Sequence, residues 1–191
     1  NNETGAINDL KAISSLIKKK SPKAVFHSDG VQAFGKIDVN LRDLGVDAYT
    51  ISGHKIHAPK GVGALWIKKG VNVKPLIYGG GQESGFRSST ENVASIMAFD
   101  KASELIFTDF YQKISQKSGI REYLKEFILK NVPETVVLSP ENGASHILTI
   151  AFKNLRGEVL LHALEKKDVF VGIGSACSSH RESRFKKLLG L

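Results

Sequence analysis

The chain has 191 residues, 41% hydrophobic and 24% charged, with 18 glycines and 5 prolines, the composition of a globular protein able to build a core. No apolar run approaches the roughly 20 residues that span a bilayer, and the polar opening Asn1-Asn2-Glu3-Thr4-Gly5 reads as a turn rather than a signal peptide. A lone cysteine, Cys177, excludes an internal disulfide and favours a reducing, cytoplasmic compartment.

The net charge of +8 raises the question of a nucleic-acid surface. The basic runs Lys18-Lys19-Lys20, Lys68-Lys69 and Arg181 to Lys187 hold one aromatic between them, Phe185, so charges and aromatics do not alternate. They read as solvated faces, and direct nucleic-acid binding is disfavoured. One cysteine and scattered histidines, without a C-x-x-C or H-x-x-x-H pair, disfavour a structural metal site.

In chain order, Leu10, Ile13, Leu16 and Ile17 fall at helical spacing, so Asp9 to Lys20 is expected to be a helix capped by Asn8 or Asp9 and stopped by Pro22. Ala24-Val25-Phe26 reads as a short buried strand leading into His27-Ser28-Asp29. A short helix follows at Leu41 to Leu44, then a strand Ala48-Tyr49-Thr50-Ile51 ending in Ser52-Gly53-His54-Lys55. Strands are expected near Val62 to Ile67 and Val73 to Ile77. Glu91 to Asn131 reads as mostly helical with an interruption at Ser118-Gly119. Strands near Thr135 to Leu138 and Ile147 to Phe152 precede a helix from Glu158 to Lys167. This alternation predicts an α/β sheet with functional side chains at the strands' carboxyl ends. The change of pattern near residue 110 predicts a boundary, with 1–110 in a larger domain and 111–191 opening a smaller α+β domain.

Three clusters carry chemistry. In Asp29-Gly30-Val31-Gln32, the carboxylate suits either a helix cap or a partner for a cationic ring nitrogen, with Gln32 available to a ring hydroxyl. In Ser52-Gly53-His54-Lys55, a lysine follows an apolar strand, a hydroxyl and an imidazole, a setting suited to a Schiff-base amine. Ser52 and His54 are suitable donors to a phosphate, whereas Lys60 fits an ordinary surface lysine better. Gly79-Gly80-Gly81-Gln82-Glu83, running on to Thr90-Glu91-Asn92, is either a flexible turn or an anion-binding loop. Thr90 there can cap the following helix or meet a phosphate.

Taken in this order, the three clusters resemble the class V aminotransferase family, and among its branches the cysteine desulfurases of the NifS/IscS type. Asn1-Asn2-Glu3-Thr4-Gly5 and Gly174-Ser175-Ala176-Cys177-Ser178-Ser179 match that branch too. The resemblance implies the fold type I of PLP-dependent transferases, a mixed, mostly parallel sheet flanked by helices, with part of a small α+β C-terminal domain. It implies pyridoxal 5′-phosphate (PLP) held by Lys55, Asp29 on the pyridinium nitrogen, Gln32 on the ring hydroxyl, and Ser52 and His54 on the phosphate. Thr90 would reach the phosphate in the partner subunit of a homodimer, and Asn2 would lie beside the cofactor and the substrate carboxylate.

Cys177 by itself is either a small buried hydrophobe or a loop thiolate aided by His180, Arg181 and Arg184. The resemblance makes it the nucleophile that takes sulfur from L-cysteine, leaving alanine and a persulfide. With no second cysteine in the chain, that sulfur would pass to an acceptor protein, for iron–sulfur assembly or tRNA thiolation. Ser84 and Ser89 depart from the family's common arginine and glycine. A ring-stacking histidine and a carboxylate-anchoring arginine would precede Asn1 and follow Leu191, so the sequence reads as an internal piece. The rival readings are another class V enzyme, such as a selenocysteine lyase, and a non-catalytic sulfur-carrier or scaffold-binding module.

Overall fold

The computed structural model describes residues 1–174. Its architecture is mixed α/β, and it divides into two compact units: Asn8–Lys113, and Asn1–Ile7 with the described residues from Ile114 onward.

In the unit Asn8–Lys113, helix α1 (Leu10–Lys20) starts where the Asp9 carboxylate accepts the Ala12 N–H at 2.9 Å. It ends on three lysines that complement the negative helix terminus. Its buried face carries Ser14, whose hydroxyl donates to the Gly45 carbonyl at 2.7 Å. Gly45 closes α2 (Leu41–Leu44) with a left-handed φ of 71°, and a Cβ there would lie 2.6 Å from the Ser14 hydroxyl. Both its backbone angle and its crowding therefore require glycine.

Strand β1 (His27–Asp29) pairs in parallel with β2 (Ala48–Ser52), and β2 pairs antiparallel with β3 (Gly63–Ile67), in the order β1-β2-β3. The ladder begins at His27 and not at Ala24, because the Phe26 N–H is taken by the Asp47 carboxylate at 2.8 Å. That carboxylate is also bonded to Lys18 Nζ at 2.7 Å, which ties α1 to the start of β2. Val73 to Ile77 forms no strand: Pro75 lacks an N–H for a ladder, and Leu76 is 92% exposed. Val46, Ala48, Tyr49 and Ile56 form the buried centre. Beside it the rings of Phe34, Phe99, Phe107, Phe110 and Tyr111 meet mostly edge to face.

Helix α3 (Val93–Phe107) is capped by Asn92, whose side chain accepts the Ser95 N–H, and not by Thr90. The helical stretch breaks at Thr108-Asp109, where Thr108 is extended and Asp109 takes a φ of 52°. Gly119 instead lies inside α4 (Phe110–Asn131). Aspartate tolerates the left-handed region and an internal glycine need not end a helix, which reverses the expectation from composition.

In the other unit, β4 (Thr135–Val137) and β5 (Ile150–Phe152) form an antiparallel pair, followed by α5 (Gly157–Glu165). No described helix is long and apolar enough to cross a membrane.

Candidate functional site

Parallel pairing sets the frame. His27, Ser28 and Asp29 stand opposite Ala48, Tyr49 and Thr50, so the carboxyl ends of β1 and β2 lie side by side. Thr50 and Ser52, two residues apart, share one face of β2. His27 Nε2 lies 2.7 Å from Thr50 Oγ1, and His54 Nδ1 lies 2.8 Å from Ser52 Oγ. The result is a pair of hydroxyl–imidazole contacts, one between the first residue of β1 and the middle of β2 and one at the carboxyl end of β2. Sequence reasoning missed the first; only the register brings His27 to Thr50.

Asp29 closes β1 and is exposed. One carboxylate oxygen accepts the Val31 N–H at 2.8 Å, and the Gly30 N–H donates to the Thr50 carbonyl at 2.8 Å. The carboxylate thus sits in a local side-chain turn and does not cap a regular helix. Gln32 is half-buried, and its amide oxygen accepts from Lys36 Nζ at 3.3 Å.

Gly30 has a tight steric role. A Cβ there would lie 1.9 Å from Tyr49 Cε1 and 2.3 Å from its hydroxyl. The Tyr49 ring is buried directly against the turn that carries Asp29. Burial, with the Asp29 charge as a second cause, pushes the Tyr49 hydroxyl above its ordinary pKa. The period-two pattern of β2 marks Tyr49 as facing away from Thr50, but nothing in the sequence joins it to Gly30.

Beyond Ser52 the chain enters a single 3-10 turn, Gly53–Ile56, closed by His57 with a φ of 72° and its N–H on the Gly53 carbonyl. Gly53 is buried against Ala58 and Val62, each about 3.0 Å from where its Cβ would be, so close packing accounts for this glycine. The turn presents Lys55 half-buried. Among the described residues the Lys55 ammonium has no hydrogen-bond or ion-pair partner.

The glycine-rich segment folds as consecutive tight turns. Gly81, Glu83, Ser84 and Gly85 all take left-handed φ values. Buried Ser88 anchors them, donating its N–H to the Ile77 carbonyl and accepting the Gly81 N–H. Thr90 is exposed, and its hydroxyl has no partner among the described residues.

Asp29, Gln32, Ser52, His54, Lys55 and Thr90 all belong to the unit Asn8–Lys113, while Asn2 belongs to the other. Asn2 is exposed. Cys177 lies outside the described residues, as do His180, Arg181 and Arg184. No cluster of histidine, cysteine, aspartate or glutamate suited to a metal ion occurs among the described residues. A separate cavity of about 390 Å³, lined by Phe34, Ile37, Leu41, Tyr49, Trp66 and Phe107 among others, includes none of the candidate site residues.

The family model described as aminotransferase class-V matches residues 1–189. A cysteine desulfurase of Trichormus variabilis is 41% identical over 180 residues, covering 94% of this chain and 44% of that protein. The cysteine desulfurase IscS of Clostridium botulinum is 40% identical over 182 residues, covering 94% and 45%. The crystal structure of a NifS-like protein from Rickettsia africae superposes with a TM-score of 0.83 at 35% identity, over 92% of this chain and 48% of that one. The chain therefore spans less than half the length of these relatives.

Proposed function

Because the chain belongs to the class V aminotransferase family, we propose that it carries the PLP-binding and sulfur-accepting residues of a cysteine desulfurase, which converts L-cysteine to L-alanine. The observation that carries this reading is Lys55: a half-buried ammonium without a partner among the described residues, in the turn that follows β2 and the Ser52–His54 contact. A lysine left in that state among polar neighbours is suited to covalent chemistry at Nζ.

The donor set fits PLP. Lys55 Nζ would hold the aldehyde carbon, and Asp29 has a carboxylate oxygen beyond the one bonded to Val31 to receive the pyridinium N–H. Gln32 would meet the ring hydroxyl. Ser52 and His54 would donate to the phosphate, and Thr90 would reach the phosphate bound by the partner subunit of a homodimer. Bound PLP supplies the electron sink for deprotonation at the substrate's α-carbon. Lys55 Nζ would take the substrate's α-proton. The Asp29 carboxylate keeps the ring nitrogen protonated, and Asn2 orients the substrate carboxylate.

The Cys177 thiolate then attacks the substrate sulfur. The carbon–sulfur bond would break with its electron pair going to the substrate's β-carbon, which takes a proton to become alanine, and the sulfur would stay on Cys177 as a persulfide. An acceptor protein would take it onward from Cys177. We assign residues 1–110 to the large PLP-binding domain, 111–191 to the small domain, and the whole to the cytoplasm, where a lone reactive thiol stays reduced.

The test is borohydride reduction of the full-length PLP-loaded protein, followed by peptide mass spectrometry. The reading predicts a pyridoxyl label on Lys55 and loss of the visible cofactor band in Lys55→Ala. A label on another lysine overturns it. Cys177→Ala should keep that band and lose sulfide release from cysteine; undiminished release would remove Cys177 from the mechanism.

A further inference from the structure

Resting on that reading of Asn2, we infer that Arg121 is the positioning residue that holds Asn2 in place, acting through the loop Ser139 to Ile147. Arg121 lies on α4 and is only 5% exposed. A guanidinium is costly to bury unless its donors are matched. Here three of its donors point at carbonyls of one loop. Nε donates to the Ile147 carbonyl at 3.1 Å, Nη2 to the Pro140 carbonyl at 2.7 Å and Nη1 to the Glu141 carbonyl at 3.3 Å. Nη1 also meets the Glu122 carboxylate, itself paired with Lys125. One planar fork thus grips the loop on both its incoming and its outgoing arm, which a single-point lysine ammonium cannot reproduce.

The far side of that loop is the wall behind the Asn1–Gly5 turn. Ala144 donates its N–H to the Gly5 carbonyl at 2.8 Å, and the Thr149 hydroxyl donates to the Glu3 carbonyl. Gly5 has a φ of 76°, and a Cβ there would lie 3.1 Å from Ile147 Cβ, so the contact is backbone-close. Within the turn, Asn1 Oδ1 accepts from the N–H groups of Glu3 and Thr4 at 2.8 and 2.9 Å and from the Thr4 hydroxyl at 3.3 Å. The Asn1 side chain is therefore bonded back into the turn, against buried Thr4. The Asn2 side chain is exposed, without a hydrogen-bond partner among the described residues. Two adjacent asparagines have opposite tasks: Asn1 builds the turn, and Asn2 is presented by it. Arg121 sets where the turn stands.

The experiment uses the full-length PLP-loaded protein with Arg121→Lys, Asn2→Ala and the double variant. Amide hydrogen exchange at Thr4 and Ala144 reports the turn itself. Steady-state kinetics with L-cysteine report Asn2. Losing charge-assisted bonds from the fork should speed exchange at both amides by roughly tenfold or more in Arg121→Lys. The KM for cysteine should rise about as much as in Asn2→Ala, with the cofactor band unshifted, and the double variant should be no worse than the worse single. Unchanged exchange at Thr4 overturns the positioning role. Independent, multiplying KM effects overturn the route through Asn2. If Asn2→Ala leaves KM and PLP affinity unchanged while exchange accelerates in Arg121→Lys, the reading of Asn2 is what fails. Should Arg121→Lys not fold, Thr149→Val removes the contact to Glu3 without touching the buried charge. It must then raise KM in the same direction, and an unchanged KM refutes the inference.

Discussion

Replacing Gly30 by alanine drives a methyl carbon into the Tyr49 ring. The new carbon would sit 1.9 Å from Cε1, 2.0 Å from Cζ and 2.3 Å from the hydroxyl oxygen, whereas carbon atoms rest about 3.5–4.0 Å apart. Ring or turn must move by about 1.5 Å, the shortfall against that contact distance. Tyr49 is only 4% exposed, and the cavity that it lines gives the ring one direction in which to yield. The cost therefore belongs in the ordinary overpacking range of about 1–3 kcal/mol. If the turn yields instead, Asp29 moves with it. Tyr49→Leu alone should cost roughly 2–4 kcal/mol through lost packing. The double variant Gly30→Ala/Tyr49→Leu should be more stable than the sum of the two by at least about 1 kcal/mol, because the leucine vacates the space the methyl needs. Urea unfolding followed by tryptophan fluorescence reads this locally: the sole tryptophan, Trp66, stands opposite Tyr49 in the β2–β3 register. Additive free energies would refute the steric coupling of Gly30 to Tyr49.

Two further outcomes follow from the same unit. Asp47 has its pKa lowered from 3.8, chiefly by the hydrogen bond from Lys18 and then by that from the Phe26 N–H, against the opposing effect of burial. A depressed folded pKa means that the stabilisation is full above 3.8, the unfolded value, and is lost as pH falls through the lower folded value. The stability difference between wild type and Asp47→Asn in urea titrations should hold steady from neutral pH to near that value and shrink below it; a difference that shrinks on the alkaline side contradicts the sign. Ser52→Ala removes the proposed phosphate donor and the partner of His54 from a half-exposed strand end. PLP dissociation measured by absorbance should rise roughly five- to thirtyfold, with the unfolding midpoint almost unchanged. Unaltered PLP affinity would take Ser52 out of the phosphate set.

Much of the proposed site is local in the primary structure. Ser52, His54 and Lys55 are contiguous, and a strand followed by one tight turn presents all three, whatever packs around them. Asp9 was readable as a cap for the same reason: its carboxylate reaches an N–H only three residues on. Expectations went astray where a distant group intervened. Phe26 stays outside the ladder because Asp47, 21 residues later, takes its N–H. The helix boundary is a local miss: Asp109 takes the left-handed φ of 52°, while Gly119 stays inside α4.

What the amino-acid order determined by itself was most of the elements, the Asp9 cap, the family and which residue types are available for chemistry. Those depend on propensity, spacing and residue type over a few positions. Tertiary structure alone decided that His27 meets Thr50, that Tyr49 occupies the space a larger residue at Gly30 would need, and that Arg121 stands behind the turn presenting Asn2. Each of these joins residues 19 or more apart in the chain, and only strand register and buried packing can bring such partners into contact.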